Sequence, residues 1–467
     1  MHQEARKHAG GGKVAGTGHG PARGTGAGTE ASTGAFARLR EALARAWTVS
    51  DFHRRHWLAH GVPHGWVPAH PDELERLPLV TKEDLLAAQA ADAPWGGNLC
   101  VDPQDVAQVH LTSGTSGIGQ ERYACTAEDV RVMGASWGPQ YQAIGLARGD
   151  CAVLTIPVSF FCAGLSALEG ARLHGLVPIV TGVAAKDMIL ELLSLHHAAY
   201  LYGTESLLLQ LASLARERGL AGRFGHLKGI QTVGTSPQLL AAAREVFGTR
   251  LFEVYGCTQA AAKIATTCSL GVGEGSMHFH DEHLYVETRD LASGQLVTEG
   301  TAEVIISTTY RQASPVFRFA MRDQVELVPA GACACGDPRP GYRPGTLART
   351  DSMCKVRGVN VWPAAVERIL FDHPAVREYR AVVRRREDGA DELLLRVATR
   401  PGHPPGEGLA QALEDSVRRH TMVRPRVEFH ADLPDSAGSY KVRRWADERE
   451  RRMEATPAGA GSEGAKP

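Results

Sequence analysis

Between His110 and Glu121 the chain reads HLTSGTSGIGQE, where a strand-like VAQVHL breaks into a run of hydroxyl and glycine residues. Such a run can wrap a phosphate chain. Gly114 and Gly117 let backbone N–H groups approach an anion, and the hydroxyls of Thr112, Ser113, Thr115 and Ser116 can donate to phosphate oxygens or help hold a metal ion. The chemistry indicated is nucleotide binding. The Gly-x-x-x-x-Gly-Lys-Ser/Thr spacing is missing, so the common P-loop ATPase and GTPase reading loses its main support. A Ser/Thr/Gly run alone is more often a polar turn, and its weight comes from what lies downstream. A second concentration of chemistry is the Cys-x-Cys of Cys333 and Cys335 in GACACGD. The nine cysteines are too few and too irregularly spaced for a disulfide framework, so thiols or metal ligands are expected.

The elements that must hold these residues follow from hydrophobic periodicity. From Asp105 to Tyr255, strand-sized runs (VAQVHL, CAVLTIPV, LVPIVTG, AAYLYG, KGIQTVG, RLFEVYG) alternate with helical patterns (LSALEGARLHG, AKDMILELLSLHH, ESLLLQLASLARERG, SPQLLAAAREVFG). That alternation predicts an α/β fold with a mainly parallel sheet covered on both faces and ligands at the carboxyl ends of the strands. The Ser/Thr/Gly loop, the GTSP turn at Gly234 and the YGCTQ turn at Tyr255 all fall at strand ends. After about Cys268 the texture changes to HLYVETRD, GQLVTEG, AEVIISTTY and QVELVPA, which predicts a β subdomain.

The expected organisation is a disordered tail over 1–34, a large N-terminal domain over 35–350, a small mobile C-terminal α+β domain over 351–453 and a second disordered tail over 454–467. Both tails are rich in small and polar residues that cannot offset the entropy of ordering. Between Phe36 and Glu83 the pattern is helical, with Thr81 as a helix cap. The formal charge is −1, from 51 basic and 52 acidic residues, so neither nucleic acid nor a membrane surface is an expected partner. No apolar run reaches transmembrane length and no signal-peptide core is present, which leads us to expect a cytoplasmic protein.

Four stretches together resemble the adenylate-forming superfamily, specifically its phenylacetate-CoA ligase-like branch: LTSGTSG, EVYGCTQ, RFAMRDQV with LARTDSMCKVRGVNVWP, and LPDSAGSYKVRR. The leader LPLVTKEDL matches as well. The resemblance implies ATP, Mg2+ and CoA as cofactors and substrates, with a carboxylate attacking the α-phosphate. It assigns Thr112, Ser113, Gly114, Thr115, Ser116 and Gly117 to the phosphate loop, and Gly234, Tyr255, Gly256, Thr258 and Gln259 to the nucleotide site. Asp323 matches the aspartate that holds the ribose hydroxyls, Arg349 an arginine near ribose and phosphates, and Asp351 the hinge about which the small domain rotates. Taken singly, Asp323 is more often a turn residue, Arg349 a surface ion-pair partner and Tyr255 a core aromatic. Members of the branch can carry a structural zinc, and Cys268, His278, Cys333 and Cys335 fall at comparable places, with His280 and His283 as competitors. A homodimer is also implied.

Three departures from the family pattern bear on what this chain does. Where the phosphate loop usually carries a lysine, the chain has Ile118, Gly119 and Gln120, leaving Arg122 or Lys263 as substitutes. Gln259 stands where a glutamate normally helps hold magnesium, and an amide brings no charge. The C-terminal lysine that contacts the α-phosphate matches Lys441, two residues later than usual, against the bland alternative of a solvated KVRR run. With Lys441, Thr115 and Arg349 as catalytic residues, the leading expectation is activation of an aromatic acid with transfer to CoA in a specialised, natural-product pathway. The alternatives are ATP-dependent activation of nitrite for reaction with an aryl amine, and a non-catalytic nucleotide binder. The acid pocket is expected around VSFFCAGL, the GTSP turn and Cys257, with at least one of Phe160 and Phe161 in the core.

Overall fold

In a computed structural model of the chain, the residues described are 30–112, 120–182, 184–260, 263–350, 354–357, 359–361, 363–386, 390–431, 433 and 444–449. Helix α1 (Glu30–Val49) begins inside the stretch expected to lack order. Its Phe36, Leu39, Leu43, Ala46 and Trp47 recur at helical spacing and bury against Trp57 of α2 (Asp51–Ala59) and Phe317, and this apolar stripe orders the segment. Helix α3 (Lys82–Ala91) starts as expected at Thr81, whose hydroxyl accepts the Asp84 N–H while the Asp84 carboxylate accepts the Thr81 N–H at 2.9 Å.

Strands β1 (Gln108–Leu111) and β2 (Arg122–Cys125) form a separate antiparallel ribbon. VAQVHL is therefore not a strand of the parallel sheet. Only a short loop joins it to RYAC, and a parallel crossover needs a dozen or more residues. Two helices follow that sequence periodicity did not reveal, α4 (Ala127–Ala135) and α5 (Gly138–Ile144).

The parallel region consists of β3 (Cys151–Leu154), β4 (Val177–Val180), β5 (Tyr200–Tyr202), β6 (Gly229–Thr232) and β7 (Leu251–Tyr255), interleaved with α6 (Cys162–Leu173), α7 (Lys186–Leu195), α8 (Glu205–Glu217) and α9 (Pro237–Glu245). Side chains alternate between faces, as the strand period of two requires. Val153, Leu201, Ile230 and Leu251 pack under α7, α8 and α9, whereas Ala152, Leu154, Tyr200, Tyr202, Phe252 and Val254 pack under α5 and α6.

The chain then continues through β8 (Ala265–Thr267), β9 (Met277–Phe279), β10 (Leu284–Arg289), β11 (Thr301–Thr308), β12 (Phe319–Val328), β13 (Gly341–Tyr342) and β14 (Ala348–Arg349). These strands are antiparallel and join the parallel ones in a single twelve-stranded sheet, with β8 adding to β7. GQLVTEG makes only an isolated bridge from Leu296 to Arg289 and is not a strand.

A separate core brings together β15 (Cys354–Val356), β16 (Val359–Val361), α10 (Pro363–Asp372), β17 (Val376–Arg385), β18 (Asp391–Thr399), α11 (Glu407–Thr421), β19 (Arg426–Phe429) and β20 (Trp445–Asp447), with a four-stranded sheet ordered β19-β18-β17-β20. The fold is thus α/β with a parallel-rich large sheet and a C-terminal α+β unit. Among the described residues, no helix is long and apolar enough to cross a membrane.

Candidate active site

A cleft of about 1580 Å³ opens at the carboxyl ends of β5, β6 and β7, and the C-terminal unit forms one of its walls through Phe371, Asp372, Arg377 and Arg444. Thr112, Tyr255, Gly256, Thr258, Gln259, Asp323 and Arg349 all line it. The sequence separates these residues by up to more than two hundred positions, and the sheet order brings them together. Ser113, Gly114, Thr115, Ser116 and Gly117, the hinge residue Asp351 and Lys441 lie outside the described residues. Gly234 sits in the turn after β6 at φ +77, a left-handed conformation that glycine adopts without strain. Its neighbours Val233 and Ser236 face the cleft.

Asp323 and Arg349 are direct cross-strand partners on β12 and β14. The Arg349 Nη1 donates to Asp323 Oδ1 at 3.3 Å, and the Tyr255 hydroxyl donates to Asp323 Oδ2 at 2.6 Å. Burial, reinforced by the Asp323 charge, pushes the Tyr255 phenol well above its usual range, so it stays a donor. A carboxylate has about four lone-pair sites, which suits Asp323 to accepting from several hydroxyls. Tyr255 is both a core aromatic, edge-on to Tyr342, and a cleft residue.

The YGCTQ turn is fixed from behind by Arg311, which is buried and donates to the carbonyls of Thr258 at 3.1 Å and Gln259 at 2.9 Å, and to Ala124 O of β2 at 3.2 Å. This arginine was not singled out from sequence. Glu121 was also missed. It is fully buried at the start of β2's loop junction, bonds the Thr112 hydroxyl, and accepts from Gln259 Nε2 at 2.7 Å. The negative charge absent at Gln259 is therefore present beside it. The end of the run GIGQE carried only a weak signal, because Glu121 is separated from the apolar YAC by the exposed Arg122.

The cation beside this end of the loop is Lys82, whose Nζ lies 3.4 Å from Glu121 Oε2. It comes from the LPLVTKEDL leader. Arg122 is exposed on the ribbon, and Lys263 lies instead against the Trp137 ring, with Nζ 4.2 Å from its centroid. Of the expected pocket aromatics, Phe161 lines the cleft, whereas Phe160 is exposed. Neither is core, because β3 ends at Leu154 and the segment bends before α6.

Cys268, His278, Cys333 and Cys335 form a second constellation, with ligand atoms all within 4.8 Å of one another. Cys268 Sγ is 3.9 Å from Cys333 Sγ, and Cys335 Sγ is 3.3 Å from His278 Nε2. A tetrahedral Zn–S distance of about 2.3 Å implies an edge of about 3.8 Å, so the set fits a closed zinc site. His278 Nδ1 is 3.0 Å from the Arg339 carbonyl, which orients Nε2 inward. His280 pairs with Thr266 Oγ1 at 3.0 Å and His283 lies beside Glu282, so neither competitor belongs to the group.

A two-unit α/β architecture that brings Thr112, Tyr255, Asp323 and Arg349 to one cleft is a setting suited to a nucleotide. Residues 358–449 match the family of AMP-binding enzyme C-terminal domains. The phenylacetate-coenzyme A ligase of Thermus thermophilus is 29% identical over 368 residues, covering 77% of this chain and 79% of that protein. The structure of a 2-hydroxyisobutyryl-CoA ligase in its postadenylation state with 2-HIB-AMP is 25% identical, covers 91% of each chain and superposes with a TM-score of 0.80. The same ligase in its thioesterification state superposes with 0.65 at 25% identity, covering 91% of this chain and 93% of that one. Over most of its length the chain is thus similar to phenylacetate-CoA ligases and shares the fold of an acyl-CoA ligase, which supports an AMP-forming ligase of the adenylate-forming kind.

Proposed function

We propose that the protein activates an aromatic carboxylic acid as its acyl-adenylate and transfers the acyl group to CoA in a specialised cytoplasmic pathway. The observation that carries this reading is the Tyr255–Asp323–Arg349 cluster, which faces Thr112 and Glu121 across one cleft. In the first step a carboxylate oxygen attacks the α-phosphorus of ATP, a new P–O bond forms, and the bond to pyrophosphate breaks. Asp323 accepts from the ribose hydroxyls while Tyr255 and Arg349 hold its carboxylate in place. Thr112 to Gly117 donate to the phosphates, and Lys441 offsets charge at the α-phosphate. In the second step the CoA thiolate attacks the acyl carbon and AMP leaves.

Glu121, Thr112 and the Gln259 amide oxygen are the groups that would hold Mg2+ here, a hard cation that neutralises phosphate charge when bound. Their oxygen-rich, buried donor set fits it. The four-ligand cluster is read as a structural zinc site, which would tie the β8–β9 turn to the loop after β12. The small domain, from the hinge at Asp351 onward, turns between the two half-reactions.

The test is pyrophosphate release with a panel of aryl acids, with and without CoA, and with nitrite plus an aryl amine. Acid-dependent release that consumes CoA is the expected result. Nitrite-dependent release requiring an amine overturns it, and no release from folded, metal-replete protein favours a binding role.

A further inference from the structure

Lys263 is the least expected residue in the cleft wall. It lies just before β8, where the Ile264 N–H bonds the Tyr255 carbonyl at 2.7 Å, and its ammonium position is buried between the rings of Trp137 and Tyr141. Among the described residues its Nζ has no hydrogen-bond partner. Among the described residues no carboxylate offsets it. Burial alone drives the amine well below the ordinary lysine range, which favours its neutral form. The indole Nε1 of Trp137, in the same wall, is likewise buried without a partner.

A lysine whose only role were packing would be replaced at a gain by an apolar residue, because burying an unpaired polar group costs about 1–3 kcal/mol. Two orphaned donors on one wall point to a missing acceptor. Both Lys263 and Trp137 line the cleft together with Ser166, Tyr202 and Val254, on the α5–α6 face of the sheet. Helix α6 reaches this close because Gly170 has no side chain there, as a Cβ on it would lie 2.7 Å from the Trp137 ring. That wall faces the same cleft as Tyr255 and Gly256, and the apolar Trp137, Tyr202 and Val254 around Lys263 suit an aromatic acyl group better than a phosphate.

We infer that Lys263, with Trp137 beside it, is the specificity determinant of the acid pocket, and that the activated aromatic acid carries an oxygen acceptor on its ring, a hydroxyl or a second carboxylate. This rests on the acid-activating reading above. The amine donates to the substituent, and an oxyanion there favours its protonated form and pairs with it. An acid lacking the oxygen leaves both donors unpaired and is disfavoured.

The experiment compares wild-type protein with Lys263→Met, using benzoate, 3- and 4-hydroxybenzoate, isophthalate and terephthalate. The readouts are ATP-dependent pyrophosphate release and calorimetric binding. Wild type is expected to favour at least one oxygen-bearing acid over benzoate, and Lys263→Met to lower kcat/KM for that acid by about 10- to 100-fold while keeping or improving benzoate. The variant is also expected to melt no lower than wild type. Lys263→Gln, which keeps a donor, is expected to retain part of the preference for a hydroxyl and serves if the methionine variant fails to fold. An equal fall for every acid, or a wild-type preference for benzoate, overturns the inference. If no acid supports pyrophosphate release, the acid-activating reading falls. Calorimetry then still decides the lysine's role, because binding indifferent to the ring oxygen, or no binding at all, counts against it.

Discussion

Asp323→Ala is expected to lower kcat/KM for ATP by about 10²- to 10⁴-fold, because two hydrogen bonds to a charged acceptor are removed, each worth about 1.5–3 kcal/mol. The effect follows from position as well as charge. Asp323 is buried on β12, with one oxygen bonded to Tyr255 and the other to Arg349, so its carboxylate is held in one orientation. Removing it leaves the Tyr255 hydroxyl without its acceptor and lets Arg349 swing away. Asp323→Asn keeps the volume and one acceptor oxygen, and is expected to fall between the two. Steady-state kinetics with varied ATP, alongside melting curves, reads the result. An unchanged ATP dependence with a lowered melting point would assign Asp323 to packing only.

His278→Ala is expected to release zinc entirely, from one ion per chain to none by elemental analysis, and to lower the melting transition by about 5 °C or more. The four ligands come from β8's end, from β9 and from the loop after β12, so the ion would join the β8–β9 connection to the loop between β12 and β13. Chelation of the wild type is expected to reproduce the shift. Full zinc retention in the variant, or metal-free wild type with the same melting point, would leave four neighbouring side chains with no metal role. The site lies behind β8 and is closed, so the loss is expected in stability before ATP affinity.

Much of this architecture was legible from periodicity, but the site was legible only in pieces. The α/β alternation from Cys151 to Tyr255 shows in the sequence because strands buried on both faces read as short apolar runs between amphipathic helices. The ribbon was misassigned because four residues of VAQVHL look alike in parallel and antiparallel pairing, and only the partner RYAC decides. Helices α4 and α5 are two turns each, too short for a clear period, although the capping box of Thr126 and Asp129 marks the first. Phe160 was expected to divide pocket and core with Phe161, yet its segment bends out of the sheet and leaves it in solvent.

The contacts that give the site its chemistry are long-range and leave no local signature. Glu121 supplies charge to a motif whose own residue, Gln259, is 138 positions away, and Lys82 reaches it from the N-terminal helices. Lys263 was weighed as a substitute phosphate cation because it is the nearest lysine after YGCTQ. The β7–β8 register places it instead against Trp137, on the wall where we propose that the acid binds.

The most direct test of acid activation follows oxygen. With an acid from the panel labelled in both carboxylate oxygens with 18O, the AMP released after thioester formation is expected to carry one labelled oxygen, because the carboxylate oxygen that attacks the α-phosphorus stays on phosphorus when CoA takes the acyl group. Unlabelled AMP, or ADP and phosphate in its place, would contradict adenylate formation on the carboxylate.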